Sequence, residues 1–422
     1  MENKLEALEC HFTWNLNPGK NKCFHLRDKL EDLITDGTCA WMGHVYNLLG
    51  FVFYMLGSKD KALKNFSRAK DSFSQLSNED EGPWLVVNYG NLAWLHHDLG
   101  EEAKAQSYLS KVDALMGEHP QPEVYAEKAW NLMMFGKKQK LLAKEYFSKA
   151  IEMQPDRVEW QTSHAVNLIQ ISMDLKEDVS PDGLEEIRKA KTLDPESRYF
   201  AAFDLSRRAD EGEDIKDEAR ELARKIFDKP LTEYSGIEPL HSLFRKHVSI
   251  DELITFAEEA LQRYPGSRFN KRCTCNFYKT KILNTDIDDA EVIDRSIRLH
   301  LEVIDLSPET SWKKQIYLAA IYAKTNQQDK AKQKFEELLQ KVSDQDPEGQ
   351  QMLYNYYAGN SFFYQKNREK STKYHMKAAE IAHDSFYRTK SINQLEKIKN
   401  RNKDPFLVEK IKRFLARLPK SV

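Results

Sequence analysis

The sequence predicts an all-α solenoid of stacked helix-turn-helix units, on two grounds: its composition, and one residue spacing that recurs along the chain. Of 422 residues only 16 are Gly and 14 Pro, while 31% are charged and 41% hydrophobic. A chain so poor in turn formers is mostly helix joined by short turns, and an all-β chain would need many more turn residues. The length exceeds what one simple core fills, which leaves two or three domains or one extended array.

The spacing starts with a small residue in a first helix, followed by a bulky residue three positions later and Ala twelve positions later. In the second helix a bulky residue then stands four positions, and an apolar one seven positions, after that Ala. Gly50, Phe53, Ala62, Phe66 and Ala69 form one copy, with Gly57 at the turn; Ala93, His96, Ala105, Leu109 and Val112 form another, with Gly100 at the turn; Ala319, Tyr322, Ala331, Phe335 and Leu338 form a third. Small residues let the paired helices cross closely, and the bulky residue fills the space toward the next unit. The period, roughly 34 residues, is that of the tetratricopeptide repeat.

Weaker copies fill the gaps, several closed by a helix-stopping proline: Ala143, Phe147 and Ala150 before Pro155; Ile187 and Ala190 before Pro195; Leu253, Ala257 and Ala260 before Pro265; Val303 before Pro308. Gly359, Phe362 and Ala378 suggest another copy, as do Ala219, Ala223 and Ile226 before Pro230. The pattern breaks at Glu177 to Gly183, at Leu283 to Asp289 and at Val342 to Glu348, where longer loops are expected and the stack can change pitch. These interruptions lead to an expected division into three subdomains, 1–195, 196–341 and 342–422.

Net charge is −2, so no global field points to a polyanionic partner and any basic site must be local. The N-terminus carries charge where a signal peptide needs apolar residues, and no window reaches 18 apolar residues, so a soluble cytosolic protein without a membrane segment is expected. Cys10, Cys23, Cys39, Cys273 and Cys275 are odd in number and include no C-x-x-C pair, which argues for reduced thiols and against a structural metal. Nucleotide-loop, zinc-protease and nucleophile-elbow motifs are missing, and His96 and His97, adjacent on one helix, point to different faces. No enzyme activity, cofactor or metal is expected.

Two blocks carry a family resemblance. Cys10-His11-Phe12-Thr13-Trp14, and Gly90-Asn91-Leu92-Ala93-Trp94 running on to Val112, resemble signatures of the interferon-induced proteins with tetratricopeptide repeats. Trp130 with Gly136, the Arg245-Lys246 pair, and Lys390-Ser391-Ile392-Asn393 fall in register with them. The resemblance implies a clamp-like superhelix whose basic inner channel takes the 5′ end of single-stranded RNA, as the triphosphate or unmethylated cap. It also implies binding to other family members or antiviral proteins, and no catalysis. Beyond Asn393 the family runs into a further full repeat, whereas this sequence continues only from Asp404 to Val422, so a shortened capping or dimerising element is expected.

An RNA channel needs cations for phosphates and rings for unpaired bases. By resemblance Lys29, or its neighbour Arg27, supplies an early cation; Trp130 supplies the indole beside the first nucleotide; Arg245 and Lys246 supply a mid-chain basic pair; Lys271 and Arg272 stand where relatives place polar residues facing the channel. Lys390 belongs to the later register match. Gln170 and Met134 occupy positions where RNA-binding members keep Arg and Lys, and each lost cation removes a phosphate contact of about 1.5–3 kcal/mol. From Arg388 to Lys420 eleven Lys or Arg face three acidic residues, so this stretch is the one strongly basic region. Each of these also has a plainer reading, as a solvated helix face or a packing indole. Two functions therefore stand open: single-stranded RNA binding in the channel, or a protein scaffold of the antiviral response.

Overall fold

The computed structural model describes residues 1–36, 42–76, 82–116, 121–175, 177–232, 235–401 and 404–418, and among them every regular element is a helix. A short α1 (Glu2–Glu6) and α2 (Lys20–Asp36) precede a series of A and B helices that alternate as antiparallel pairs. The pairs are α3 (Met42–Met55) with α4 (Lys59–Leu76), α5 (Leu85–Asp98) with α6 (Glu102–Leu115), α7 (Pro122–Met133) with α8 (Lys137–Met153) and α9 (Val158–Leu175) with α10 (Pro181–Leu193). They continue as α11 (Arg198–Asp210) with α12 (Lys216–Phe227), α13 (Ile237–His247) with α14 (Ile250–Arg263) and α15 (Arg268–Asn284) with α16 (Ala290–Leu306). The last three are α17 (Trp312–Lys324) with α18 (Gln328–Gln340), α19 (Pro347–Phe363) with α20 (Arg368–Glu380) and α21 (Phe386–Arg401) with α22 (Pro405–Ala416). The predicted all-α tetratricopeptide solenoid is the fold observed. Two compact units make it up, Met1–Asn270 and Lys271–Val422.

The punctuation read from the sequence falls at helix ends. Gly57 (φ 79°) and Gly100 (φ 74°) take the left-handed conformation between A and B helices, and Asn326 (φ 58°) and Lys366 (φ 55°) do the same work later in the chain. The following N–H then bonds back to a carbonyl of the last A-helix turn, as Ser58 does to Phe53 at 2.8 Å and Gln327 to Tyr322 at 2.9 Å, which closes the helix end. Pro155, Pro195, Pro265 and Pro308 each stand just beyond a B helix, where a residue unable to donate cannot continue it.

Close approach within a pair is set by the small residues. A Cβ at Gly50 would lie 2.6 Å from the Phe66 ring, so the ring of α4 occupies the space that the missing side chain of α3 leaves. Phe66 thus fills its own repeat, where the spacing had suggested packing toward the next one. Ala319 and Phe335, at the equivalent positions of a later repeat, are both buried in one core cluster of the second unit. The repeat alanines at 62, 69, 105 and 331 are fully buried, as this crossing requires.

Gly50→Val should therefore destabilise the first unit by about 2 kcal/mol through overpacking. Phe66→Leu in the same chain should recover part of that loss. Urea melts of both single variants and the double variant measure the coupling; strictly additive losses would show that the ring is not what the new side chain meets.

Candidate nucleic-acid interface

In the first unit the Cys10 to Trp14 motif lies against the A helices α3, α5 and α7. The His11 ring bridges two of them: Nδ1 is 3.2 Å from Asn91 Oδ1 and Nε2 is 3.0 Å from Asn131 Oδ1. Phe12 stacks on Trp94 at 5.7 Å and meets Phe51 and Tyr54 edge-on. Gly90 makes room for Cys10, since a Cβ there would stand 2.9 Å from the Cys10 Cβ, and Trp94 Nε1 donates to the Leu5 carbonyl at 3.0 Å. The two blocks that carry the family resemblance are therefore the two halves of one contact.

The polar chain continues beneath. Asn131 Nδ2 donates to the Glu127 carbonyl; the Glu127 carboxylate accepts from Asn47 Nδ2 at 2.9 Å and lies 2.9 Å from His44 Nδ1. Asn88 Nδ2 donates to Asn47 Oδ1 and to the Phe66 carbonyl, both at 2.8 Å. A buried carboxylate is tolerated only with such partners, and a connected network of this kind fixes how three helices sit. Sequence reasoning missed it, although Asn47, Asn88 and Glu127 recur about once per repeat in otherwise apolar A helices.

The residues singled out in this unit are held in different ways. Arg27 is bound by Asp28 at 2.7 Å and covers the Phe24 ring. Lys29 is half-buried on α2. Arg268, which sequence reasoning did not pick out, reaches Asp32 at 3.1 Å and Glu31 at 3.5 Å and so ties α2 to the start of α15. Trp130 is 2% exposed, its indole enclosed in the core, and Met134 is 4% exposed. Gln170 is half-buried on α9 and makes no side-chain hydrogen bond among the described residues. Arg245 and Lys246 are exposed in the last turn of α13, where positive charge suits the helix dipole. Lys246 lies 3.8 Å from Asp210, whose carboxylate is already held by His247 at 2.8 Å.

In the second unit Lys271 is paired with Glu302 at 2.5 Å, while Arg272 is half-buried beside it on α15. Across the A helices runs a series of rings and ammonium groups. Lys279 Nζ sits 4.6 Å from the Tyr317 ring centre, Tyr317 meets Tyr356 at 5.7 Å, and Tyr356 meets Tyr387 at 6.2 Å. Lys390 lies 5.8 Å from Tyr356 and 5.7 Å from Phe386, and Lys314 Nζ donates to Asn276 Oδ1 at 2.5 Å. Burial pushes the Lys314 and Lys390 ammonium groups down and the Tyr356 and Tyr387 hydroxyls up. Lys390 was legible in the sequence; Lys314 and the tyrosines were not, because tyrosine in an A helix reads as packing.

The basic stretch from Arg388 onward is partly occupied. Arg388 is buried and donates to the Ala379 carbonyl at 3.0 Å, Lys399 pairs with Glu396, and Arg413 pairs with Glu409 at 2.9 Å. Lys403 and Lys420 of that stretch, and Cys39, lie outside the described residues. His96 pairs with Glu101 and His97 with Glu102, on separate faces as expected. Among the described residues no group of three or more His, Cys, Asp or Glu is placed to hold a metal ion, and no helix is long and apolar enough to cross a membrane.

A tetratricopeptide repeat family model matches residues 41–112. The human antiviral innate immune response effector IFIT1 is 25% identical over 94% of this chain and 87% of its own length. Human interferon-induced protein with tetratricopeptide repeats 2 is 23% identical over 94% of this chain and 87% of its own. A solved structure titled as the human IFIT1 dimer with m7Gppp-AAAA superposes with a TM-score of 0.72 at 23% identity, covering 99% of this chain and 96% of that one.

Burial also sets how this protein responds to acid. It holds His11, His164 and His375 down to about 4 and His300 to about 3. These rings stay neutral in the folded state at pH values where the unfolded chain protonates them, so unfolding takes up protons. Stability present above pH 6.5 should be lost as pH falls from about 6.5 toward 4, by about 2 kcal/mol at pH 5 for each ring that remains neutral. Urea midpoints at pH 7.5 and pH 5 check this; a midpoint that did not move would mean the rings titrate normally.

Proposed function

We propose that this chain is a member of the family of interferon-induced proteins with tetratricopeptide repeats, a non-catalytic antiviral protein of the cytosol that binds single-stranded RNA through its A helices, with the 5′ end as the feature recognised. The observation that carries this reading is a likeness to an RNA-bearing relative that runs the length of the chain and includes both mutually packed signature blocks. Exposed Arg245 and Lys246, and half-buried Arg272, supply cations of the kind that meet phosphates. Other members of the family, or other antiviral proteins, are the protein partners this reading adds.

One observation favours the alternative of a protein scaffold without 5′-end recognition. Trp130 offers no open ring face to a nucleotide, and at Met134 a lysine would have to be buried. Only Gln170, half-buried and without a side-chain partner among the described residues, is open to a gain of charge.

Titration of matched 5′-triphosphate, capped and 5′-hydroxyl RNAs separates the two. Arg245→Ala with Lys246→Ala should weaken binding of single-stranded RNA roughly ten- to a hundredfold, at about 1 kcal/mol or more per phosphate contact. Gln170→Arg should tighten binding of the triphosphate RNA and leave the 5′-hydroxyl RNA unchanged. A wild-type protein that bound none of the three would put the scaffold reading first.

A further inference from the structure

Within the second unit most of helix α15 is enclosed, Cys273 to Cys275, Phe277, Tyr278 and Thr280 among its buried residues. Arg272, Asn276 and Lys279 stay half-exposed, and at spacings of four and three they share one helical face. Asn276 stands in the middle of this stripe, about 6 Å along the helix from Arg272 and about 4.5 Å from Lys279. Its Oδ1 accepts a hydrogen bond of 2.5 Å from Lys314 Nζ of α17, so the amine is anchored on a stripe with a cation to either side. Among the described residues no Asp or Glu pairs with Lys314, whereas its sequence neighbour Lys313 lies 3.4 Å from Glu348. Burial above all, and the Arg272 charge with it, pushes the Lys314 ammonium down. Burial likewise holds the nearby Cys275 thiol and His300 ring uncharged, so neither supplies a counter-charge. Lys314 itself is half-exposed, and a reagent can reach it.

We propose that Lys314 is a modification site, a nucleophilic amine acylated by thioesters whose acyl chain ends in a carboxylate. An ammonium ion has no lone pair, and only the neutral amine attacks. The Nζ lone pair adds to the thioester carbonyl carbon and the C–S bond breaks. The sulfur leaves as thiolate and takes up the proton that the nitrogen gives up, so the products are an amide and a thiol. Asn276 Oδ1 accepts from the nitrogen as positive charge builds there, without the negative charge that would keep the free amine protonated. Arg272 and Lys279 favour the negative oxygen of the tetrahedral intermediate and draw the acyl carboxylate to the same stripe. That attraction selects an anionic acyl group over a neutral one. The thioester is the one co-reactant required, and the site stands independently of the RNA reading.

The test incubates the full chain with S-succinyl-N-acetylcysteamine or S-acetyl-N-acetylcysteamine at a series of pH values and follows acylation of Lys313 and Lys314 by mass spectrometry. At neutral pH Lys314 should be acylated severalfold faster than Lys313, and the ratio should fall as pH rises and both amines lose their protons. The succinyl-to-acetyl rate ratio should be higher at Lys314 than at Lys313. Asn276→Asp, which is nearly isosteric, sets a carboxylate against the amine and should bring acetylation of Lys314 down to the rate of Lys313. Asn276→Ala, which adds no charge, should keep most of the advantage. Melting curves check that both variants fold, and if Asn276→Asp does not, the wild-type ratio and its pH profile decide alone. Equal rates at the two lysines across the pH series would overturn the proposal, as would a folded Asn276→Asp chain that reacts at Lys314 like wild type. Equal succinyl-to-acetyl ratios at both lysines would overturn it as well, by removing the selection for an anionic acyl group. No RNA enters the experiment, so its failure leaves the RNA reading untouched.

Discussion

The A and B helices of each repeat can cross closely only where one of them carries no side chain in the way, and the rest of the architecture follows from that constraint. At Gly50 the Phe66 ring comes so near that even a methyl group would collide with it. With the crossing distance fixed, the left-handed residues at Gly57, Gly100 and Asn326 can reverse the chain in a few residues. In the first unit the apolar residues around the crossings then form one core cluster that runs from Leu5 to Phe200. A solenoid has no single centre, so its stability is shared among such crossings and the contacts between neighbours.

What makes the first unit more than a generic stack is polar. His11, Asn91 and Asn131 join the N-terminal segment to two A helices, and Glu127 with His44, Asn47 and Asn88 joins those helices to each other and to the first repeat. Each group has a partner that only this arrangement provides, so the network specifies one docking of the segment against the helices. The same burial that makes the partners necessary keeps His11 neutral, which links the packing of this region to proton uptake on unfolding.

A near-neutral net charge hides an uneven use of cations. Lys128, Arg220 and Arg268 are bound to carboxylates of other elements and serve packing between them, and Arg27 is bound to its neighbour Asp28 within α2. Such pairs neutralise charge that a count of Lys and Arg would assign to a ligand. Among the cations without a carboxylate partner in the described residues are Arg245 in the first unit and Lys314 and Lys390 in the second. In the second unit Lys390 stands beside the Tyr356 ring, so charge and ring surface come from neighbouring A helices.

Fold class, the repeat spacing, the turns at Gly57 and Gly100 and the helix-ending prolines were legible in the sequence, because they depend on local rules: small residues at crossings, glycine where φ is positive, proline where a helix must end; the left-handed Asn326 and Lys366 were not. The family resemblance was legible for a related reason, since the Cys10 to Trp14 and Gly90 to Trp94 blocks are short and contiguous. Roles of single side chains were not. Trp130 reads as a candidate stacking indole and turns out enclosed; Arg268, passed over in the sequence, turns out bound to Glu31 and Asp32 of α2; and of the adjacent Lys313 and Lys314 only Lys313 has a carboxylate. Whether a charge is spent or free depends on what stands within about 4 Å of it, and in a solenoid that neighbour comes from another helix tens of residues away, so only the tertiary structure decides it.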